Sequence, residues 1–341
     1  MPLGLLAAVA IATAGRAIPR PAAGPLLGRL DVVGALLLGA ALLLVNLGLS
    51  AGGEVGGATG SGARALGGTT NPLADYLVPL ALGGLVAGAL FLWWERRVRT
   101  PILPLSLFRR RRFATAIAAN FLAGAALIVA MVDTPIVVAL LVDEDRVSAV
   151  SALMLAPFTL LMAALSFGGG LVARRRGERA TAAAGLALVA LGYAALWLGL
   201  RGGDYVWMVP GLTIAGAGFG LVIAPVGAAT IDAAPPADRG IAAGLALVFR
   251  LLGMTIGIST LTSLGVNRLE TLVDRLTLPV RQADETTSAF LLRQNQFIED
   301  RVIPLTLQVV RETFLIAGAL ALLALVPLAL MVRSGREEGV E

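Results

Sequence analysis

Two charged residues lie deep inside apolar stretches of this 341-residue chain, Asp133 and Arg250. Arg250 follows Gly240 by ten residues, about 15 Å along a helix at ~1.5 Å per residue, close to the midplane of a bilayer. A charge at that depth costs at least ~2.5–3.5 kcal/mol on insertion scales, so it must face a cavity or a partner. It either serves transport chemistry or anchors neighbouring helices through hydrogen bonds. Asp133 follows Phe113 by twenty residues, about 30 Å along the helix, in its outer part. Thr134 and Pro135 come next, and the proline frees a carbonyl one turn earlier and can kink the helix. A carboxylate taken out of water can exchange a proton near neutral pH, whereas one in headgroup water is an ordinary interfacial residue. Both readings of Asp133 stay open. Direct pairing with Arg250 is not expected, because the two depths differ by about 15 Å. Asn120 and Asn46 are weaker candidates, since a polar bond between membrane helices typically contributes only ~0.6 kcal/mol.

The rest of the composition narrows the chemistry. There is no histidine and no cysteine, and all 27 basic residues are arginine. Thiolate catalysis, a Ser–His triad and an ordinary zinc site are excluded, as are a Schiff base and a phosphate-binding loop lysine. Carboxylates are the remaining proton carriers. Hydrophobic residues make up 57% and charged residues 14%, well below the roughly 25% charged of a soluble domain, which argues against a water-soluble enzyme. No metal or other cofactor is expected. Nor is a nucleic-acid partner, because the basic residues are split among short segments between apolar runs.

These residues need elements to hold them, and the pattern predicts membrane helices. Stretches at 31–49, 76–94, 113–142, 147–173, 180–200, 206–231, 240–266 and 308–332 are eight runs of mainly Leu, Ala, Val and Gly, each near the ~20 residues that span a hydrocarbon core. They lack period-2 alternation, and a backbone facing lipid must satisfy its own hydrogen bonds, so they read as helices. The run at 1–14 is too short to span and lacks a basic segment before it, so it reads as the end of a helix whose beginning is missing. Arginines cluster at 96–99, 109–112, 174–179 and 333–336 and are scarce at 51–75, 143–146 and 201–204. The positive-inside rule makes the rich segments cytoplasmic and places the chain in the inner (plasma) membrane as a multi-pass protein with a cytoplasmic C-terminus. The Gly/Ala/Thr loop at 52–70 and the segment at 267–307 then lie outside. Within the latter, Leu269, Leu272, Val273 and Leu276 form the stripe of an amphipathic helix along the membrane surface or over the bundle, ended or kinked by Pro279.

Several stretches resemble one family. Gly170-Leu-Val-Ala-Arg-Arg-Arg-Gly177-Glu-Arg179 is similar to the G-x-L-x-D-R-x-G-R-R loop of the major facilitator superfamily, although Arg174 stands where the family has aspartate. The run GLTIAGAGFGLVIAP at 211–225 resembles the glycine-rich helix late in that superfamily's C-terminal half. ADRGIAAGLALVFRLLGMTIGIS at 237–259 resembles the R-G-x-A-x-G-L…R-x-L-G-x-x-x-G pattern of its fourteen-helix drug:proton antiporter branch, and LGRLDVVGALLLG at 27–39 the first of the two helices inserted between the halves. The resemblance implies an all-α polytopic membrane protein made of the six-helix C-terminal half plus two linker helices. Residues 1–15 would be the end of a truncated helix, 16–112 the linker helices and an arginine-rich cytoplasmic loop, and 113–341 the six-helix half, with the N-terminal half missing. It also implies proton-coupled efflux of drugs or amphipathic compounds, and gating by Gly170, Arg175, Gly177 and Arg179. The expected partners are the lipid bilayer, protons, a small amphipathic or hydrophobic substrate and the absent half. A non-transporting scaffold or inactive remnant is the competing reading, since the usual site lies between two halves.

Gly216-x-Gly218-x-Gly220 follows no strand, so its expected role, like that of Gly253 and Gly257, is close helix packing rather than phosphate binding. Asp238 sits where a helix N-cap belongs. Trp93, Trp94 and Trp207 stand at the ends of runs, where interfacial aromatics are found.

Overall fold

The computed structural model describes residues 31–52, 76–98, 103–276, 279 and 286–331. The helix end expected at 1–15, and all but the first residue of the loop at 52–70, lie outside them. The helices are α1 (Val32–Gly52), α2 (Leu77–Glu95), the short α3 (Leu105–Arg109), α4 (Arg111–Leu141), α5 (Val147–Arg176), α6 (Glu178–Gly199), α7 (Met208–Asp232), α8 (Arg239–Val273), α9 (Thr287–Phe297), α10 (Ile303–Leu323) and α11 (Leu325–Leu330). Among the described residues seven helical stretches are long and apolar enough to cross a membrane, against the eight expected. The stretch at 31–49 forms α1, whose apolar run Val32–Val45 is shorter than the others.

Local chemistry explains the ends. α5 stops at Gly177, whose φ of 87° and ψ of 148° are open to glycine and costly for residues with a Cβ. Arg174, Arg175 and Arg176 occupy the last turn of α5 and Glu178 the first turn of α6, and both arrangements suit the helix dipole. Pro235 and Pro236 separate α7 from α8, and Pro304 begins α10 within its first two positions.

Two boundaries differ from expectation. α8 is a single helix of 35 residues, about 52 Å at ~1.5 Å per residue, against a hydrocarbon core of about 30 Å. The stripe of Leu269, Leu272 and Val273 is therefore the final part of α8 rather than a separate surface helix, and Leu276 lies just beyond its end. The reason is in the sequence: no glycine or proline occurs between Gly265 and Pro279, so nothing breaks the hydrogen-bond ladder at the expected boundary. Likewise the final helical stretch begins well before Gln308, through α9 and a π-helical turn at Ile298–Val302 that leads into α10.

α7 packs against α4, α5, α6 and α8, while α4 packs against α5, α7, α8 and α10. Their shared core holds the fully buried Tyr193, Phe158, Phe219 and Phe314. Phe219 meets Phe158 and Tyr193 edge-on, at centroid distances of 6.0 and 6.4 Å, a favoured geometry for aromatic pairs. The outside of the bundle is apolar too: Phe167 is 83% and Leu153 76% exposed, which suits lipid rather than water. α1 and α2 form a hairpin that meets the rest chiefly through α1 against α8.

Candidate functional site

Helix α4 carries two of the predicted polar residues, and the structure gives each a partner on a different neighbour. Asn120 is 1% exposed. Its amide nitrogen donates to the Ala246 carbonyl of α8, and its carbonyl oxygen accepts from Arg250 Nε at 3.0 Å. One buried amide thereby bonds both a carbonyl and a guanidinium N–H of α8, which lowers the cost of keeping that charge among apolar helices. The seam is close because of glycine. A Cβ at Gly124 would collide with the Arg250 carbonyl, one at Gly253 with the Phe121 carbonyl, and one at Gly257 would lie 2.7 Å from the Ala125 Cα.

Asp133 lies farther along α4 and is half-buried. Its Oδ2 accepts from the Thr313 hydroxyl of α10 at 2.5 Å, and the same hydroxyl lies 2.7 Å from the Val310 carbonyl. A hydroxyl has one proton, so it serves one of these acceptors at a time. Thr134 bonds back to the Ala130 carbonyl at 2.7 Å. The Tyr193 hydroxyl donates to the Ala126 carbonyl, which ties α6 to α4. No ion pair joins Asp133 to Arg250 among the described residues.

The segment expected to form the gating loop is reorganised. Gly170 belongs to α5, nearly two turns before its end, and a Cβ there would meet nothing within 4 Å. The apolar Leu171, Val172 and Ala173 keep the helix going, so Gly177 alone makes the turn and α6 starts at the next residue. Arg175 is exposed. Arg179 Nη1 donates to the Met331 carbonyl, at the end of α11, at 3.4 Å, a favourable place for a cation. Beside it Arg112 Nη2 lies 3.4 Å from Glu178 Oε2 and joins the starts of α4 and α6. Gly216 and Gly220 face α5, where a Cβ would press on the Phe158 and Met162 carbonyls, while the intervening Gly218 faces Gly185 and Val189 of α6. Asp238 stands at the N-cap position of α8 but makes no side-chain cap bond.

Sequence reasoning passed over three polar residues of α10. Arg311 Nε donates to the Trp197 carbonyl near the end of α6 at 3.1 Å, Glu312 pairs with Arg268 at 3.1 Å, and Thr313 holds Asp133. The signal was their adjacency: three consecutive polar side chains at the start of an apolar run have to find partners.

The family model of the Major Facilitator Superfamily matches residues 1–258. The chain belongs to that superfamily. It is accordingly a multi-pass membrane protein of a transporter family, not of an enzyme family. Among relatives, a triacylglyceride transporter of Mycobacterium tuberculosis is 33% identical over 274 residues, covering 74% of this chain and 48% of the relative. A triacylglyceride transporter of Mycolicibacterium hassiacum is 35% identical over 250 residues, covering 70% and 44%. A probable triacylglyceride transporter of Mycobacterium leprae is 30% identical over 336 residues, covering 93% and 60%. The chain thus spans about half the length of the curated relatives it matches.

Proposed function

We propose that this chain is the C-terminal portion of a proton-coupled secondary transporter of the fourteen-helix kind, moving amphipathic or lipid-like compounds out of the cell across the inner membrane. In this reading α1 and α2 are the linker helices, and α4 to α8 with α10 form the six-helix half. The arginine-rich ends and the C-terminus face the cytoplasm. The relatives' names favour an apolar, lipid-class cargo.

The observation that carries the proposal is the Asp133–Thr313 bond between α4 and α10. A carboxylate in an apolar bundle, tied to the neighbouring helix by one hydroxyl, is a site where a proton changes helix contacts. When Asp133 is ionised, Thr313 bonds to a charged acceptor, and such bonds are roughly twice as strong as neutral ones. When Asp133 takes a proton, that bond weakens, and Thr313 has the Val310 carbonyl as its alternative acceptor. α4 and α10 can then part near Pro135, where one α4 carbonyl lacks a helical donor. Arg250, held by Asn120 in the first half of α8, supplies the positive charge of the transport path.

The test is proton-driven export by the full-length protein in proteoliposomes. Asp133→Asn, which keeps the shape and removes the titration, should uncouple export from an imposed pH gradient between about pH 6 and 8. Wild-type coupling in that variant would exclude Asp133 as the proton carrier.

A further inference from the structure

The arginines from the end of α2 to the start of α4 do more than mark an orientation. Arg96, Arg97, Arg109, Arg110 and Arg111 are all exposed. Several carboxylates at this end of the bundle already have partners. Glu95 is 4% exposed, and its Oε1 accepts from the Leu103 backbone. Asp31 accepts from the Trp94 indole at 3.0 Å and from the Gly34 amide at 2.8 Å, and Glu178 pairs with Arg112. Asp232 and Asp238, on α7 and at the start of α8, form no ion pair with these arginines among the described residues.

Residues 103–113 are also held firmly. Leu107 of α3 is 1% exposed, and Phe108 meets Phe113 edge-on at 5.3 Å and Phe249 of α8 at 5.7 Å. Leu103, Leu107 and Phe108 thus fill an apolar joint with Phe113, Ala242 and Leu245. The Glu95 carboxylate bonds across from the end of α2 to this segment. Arg97 lies over the half-exposed Trp93 ring, 4.1 Å from its centroid. The arginines are therefore displayed from an anchored joint at the ends of apolar helices, the level at which a bilayer carries its headgroups.

We propose that this joint is a docking surface for anionic phospholipid headgroups of the bilayer. Guanidinium groups bind phosphate oxygens in pairs of parallel hydrogen bonds, and basic residues at the membrane surface gain attraction from anionic lipid. The ion pairs Arg112–Glu178 and Arg268–Glu312 involve none of these five arginines, and the anchored backbone of 103–111 leaves less to order on binding. Arg174, Arg175 and Arg176 provide the internal comparison: they are equally exposed, but stand in the last turn of α5 without such a joint. The proposal is independent of the transport reading.

The experiment titrates the purified full chain in detergent with fluorescent phosphatidylglycerol, against phosphatidylcholine and inorganic phosphate as competitors. The variant Arg109→Gln/Arg110→Gln/Arg111→Gln should weaken phosphatidylglycerol binding on the order of a hundredfold, and Arg174→Gln/Arg175→Gln/Arg176→Gln much less. Phosphatidylcholine and millimolar phosphate should compete poorly. Equal losses in the two triple variants would reduce the effect to net charge and overturn the proposal, as would no loss in the first. Efficient displacement by inorganic phosphate would make the joint a soluble-anion site and overturn it as well. Should the triple variant fail to fold, each single variant is read instead: a loss of roughly fivefold supports the proposal, and wild-type binding in all three overturns it.

Discussion

At the scale of single residues, Asn120 decides how Arg250 can exist where it does. The guanidinium is tied through Nε to a buried amide that also holds a backbone carbonyl of the same helix. Asn120→Leu would remove both bonds while keeping the volume. We expect a loss of about 1–3 kcal/mol of stability from the groups left unpaired, read as a lower unfolding midpoint in detergent. Arg250→Ala should abolish export by the full-length transporter while leaving the protein in the membrane, measured by transport and by membrane fractionation. Near-normal export by that variant would reduce Arg250 to a helix anchor. At the second pair, Thr313→Val should disturb the pH dependence of export more than its stability. It removes the hydroxyl that Asp133 accepts from, yet Thr313 also has a local carbonyl and Asp133 is only half-buried. A pH profile identical to wild type would show that Asp133 works without Thr313.

At the scale of helices, the bundle is shaped by where backbones approach without an intervening side chain. α4 and α8 meet at Gly124, Gly253 and Gly257. α7 turns Gly216 and Gly220 toward α5 and Gly218 toward α6, so one glycine run serves two interfaces. Gly253→Val would place a branched side chain against the Phe121 carbonyl. The α4–α8 seam should open at a cost of about 1–3 kcal/mol or more, and the Asn120–Arg250 bond should weaken with it. A thermal midpoint equal to wild type would contradict the close approach. Gly177 tests a turn instead of a seam. It has open space around it, yet its φ of 87° resists a Cβ, so Gly177→Ala should cost about 1–3 kcal/mol from backbone strain alone. Gly170→Ala, inside α5 and facing nothing, should be neutral or slightly stabilising.

At the scale of the whole molecule, the starts of α4, α6 and α8 and the ends of α2, α5, α7 and α11 gather at one end of the bundle with most of the described arginines. The carboxylates Asp143, Glu144 and Asp145 lie at the other end, after α4. With no native cysteine, orientation can be read by placing single cysteines. A cysteine at position 175 should resist a membrane-impermeant reagent in intact cells, and one at position 144 should react. Labelling of position 175 from outside would invert the map and with it the direction of proposed transport. α8 and the α9–α10 stretch both exceed the length a bilayer needs.

What the sequence determined by itself is what composition and period carry. Continuous apolar runs specify membrane helices because unpaired backbone polar groups cannot face lipid. The arginine distribution suggests an orientation, and the motifs at 170–179 and 237–259 resemble the superfamily to which the family match assigns the chain. Arg250 and Asp133 stood out because a charge in an apolar run is costly wherever it ends up. Their partners were decided only by the tertiary structure. Asn120 lies 130 residues from Arg250 and Thr313 lies 180 residues from Asp133, and no local periodicity encodes contacts across such separations. Helix limits were the other tertiary outcome. No glycine or proline follows Gly265 until Pro279, so α8 continues past its apolar run, and Gly170 stays helical because the continuity of the hydrogen-bond ladder outweighs one glycine's entropy.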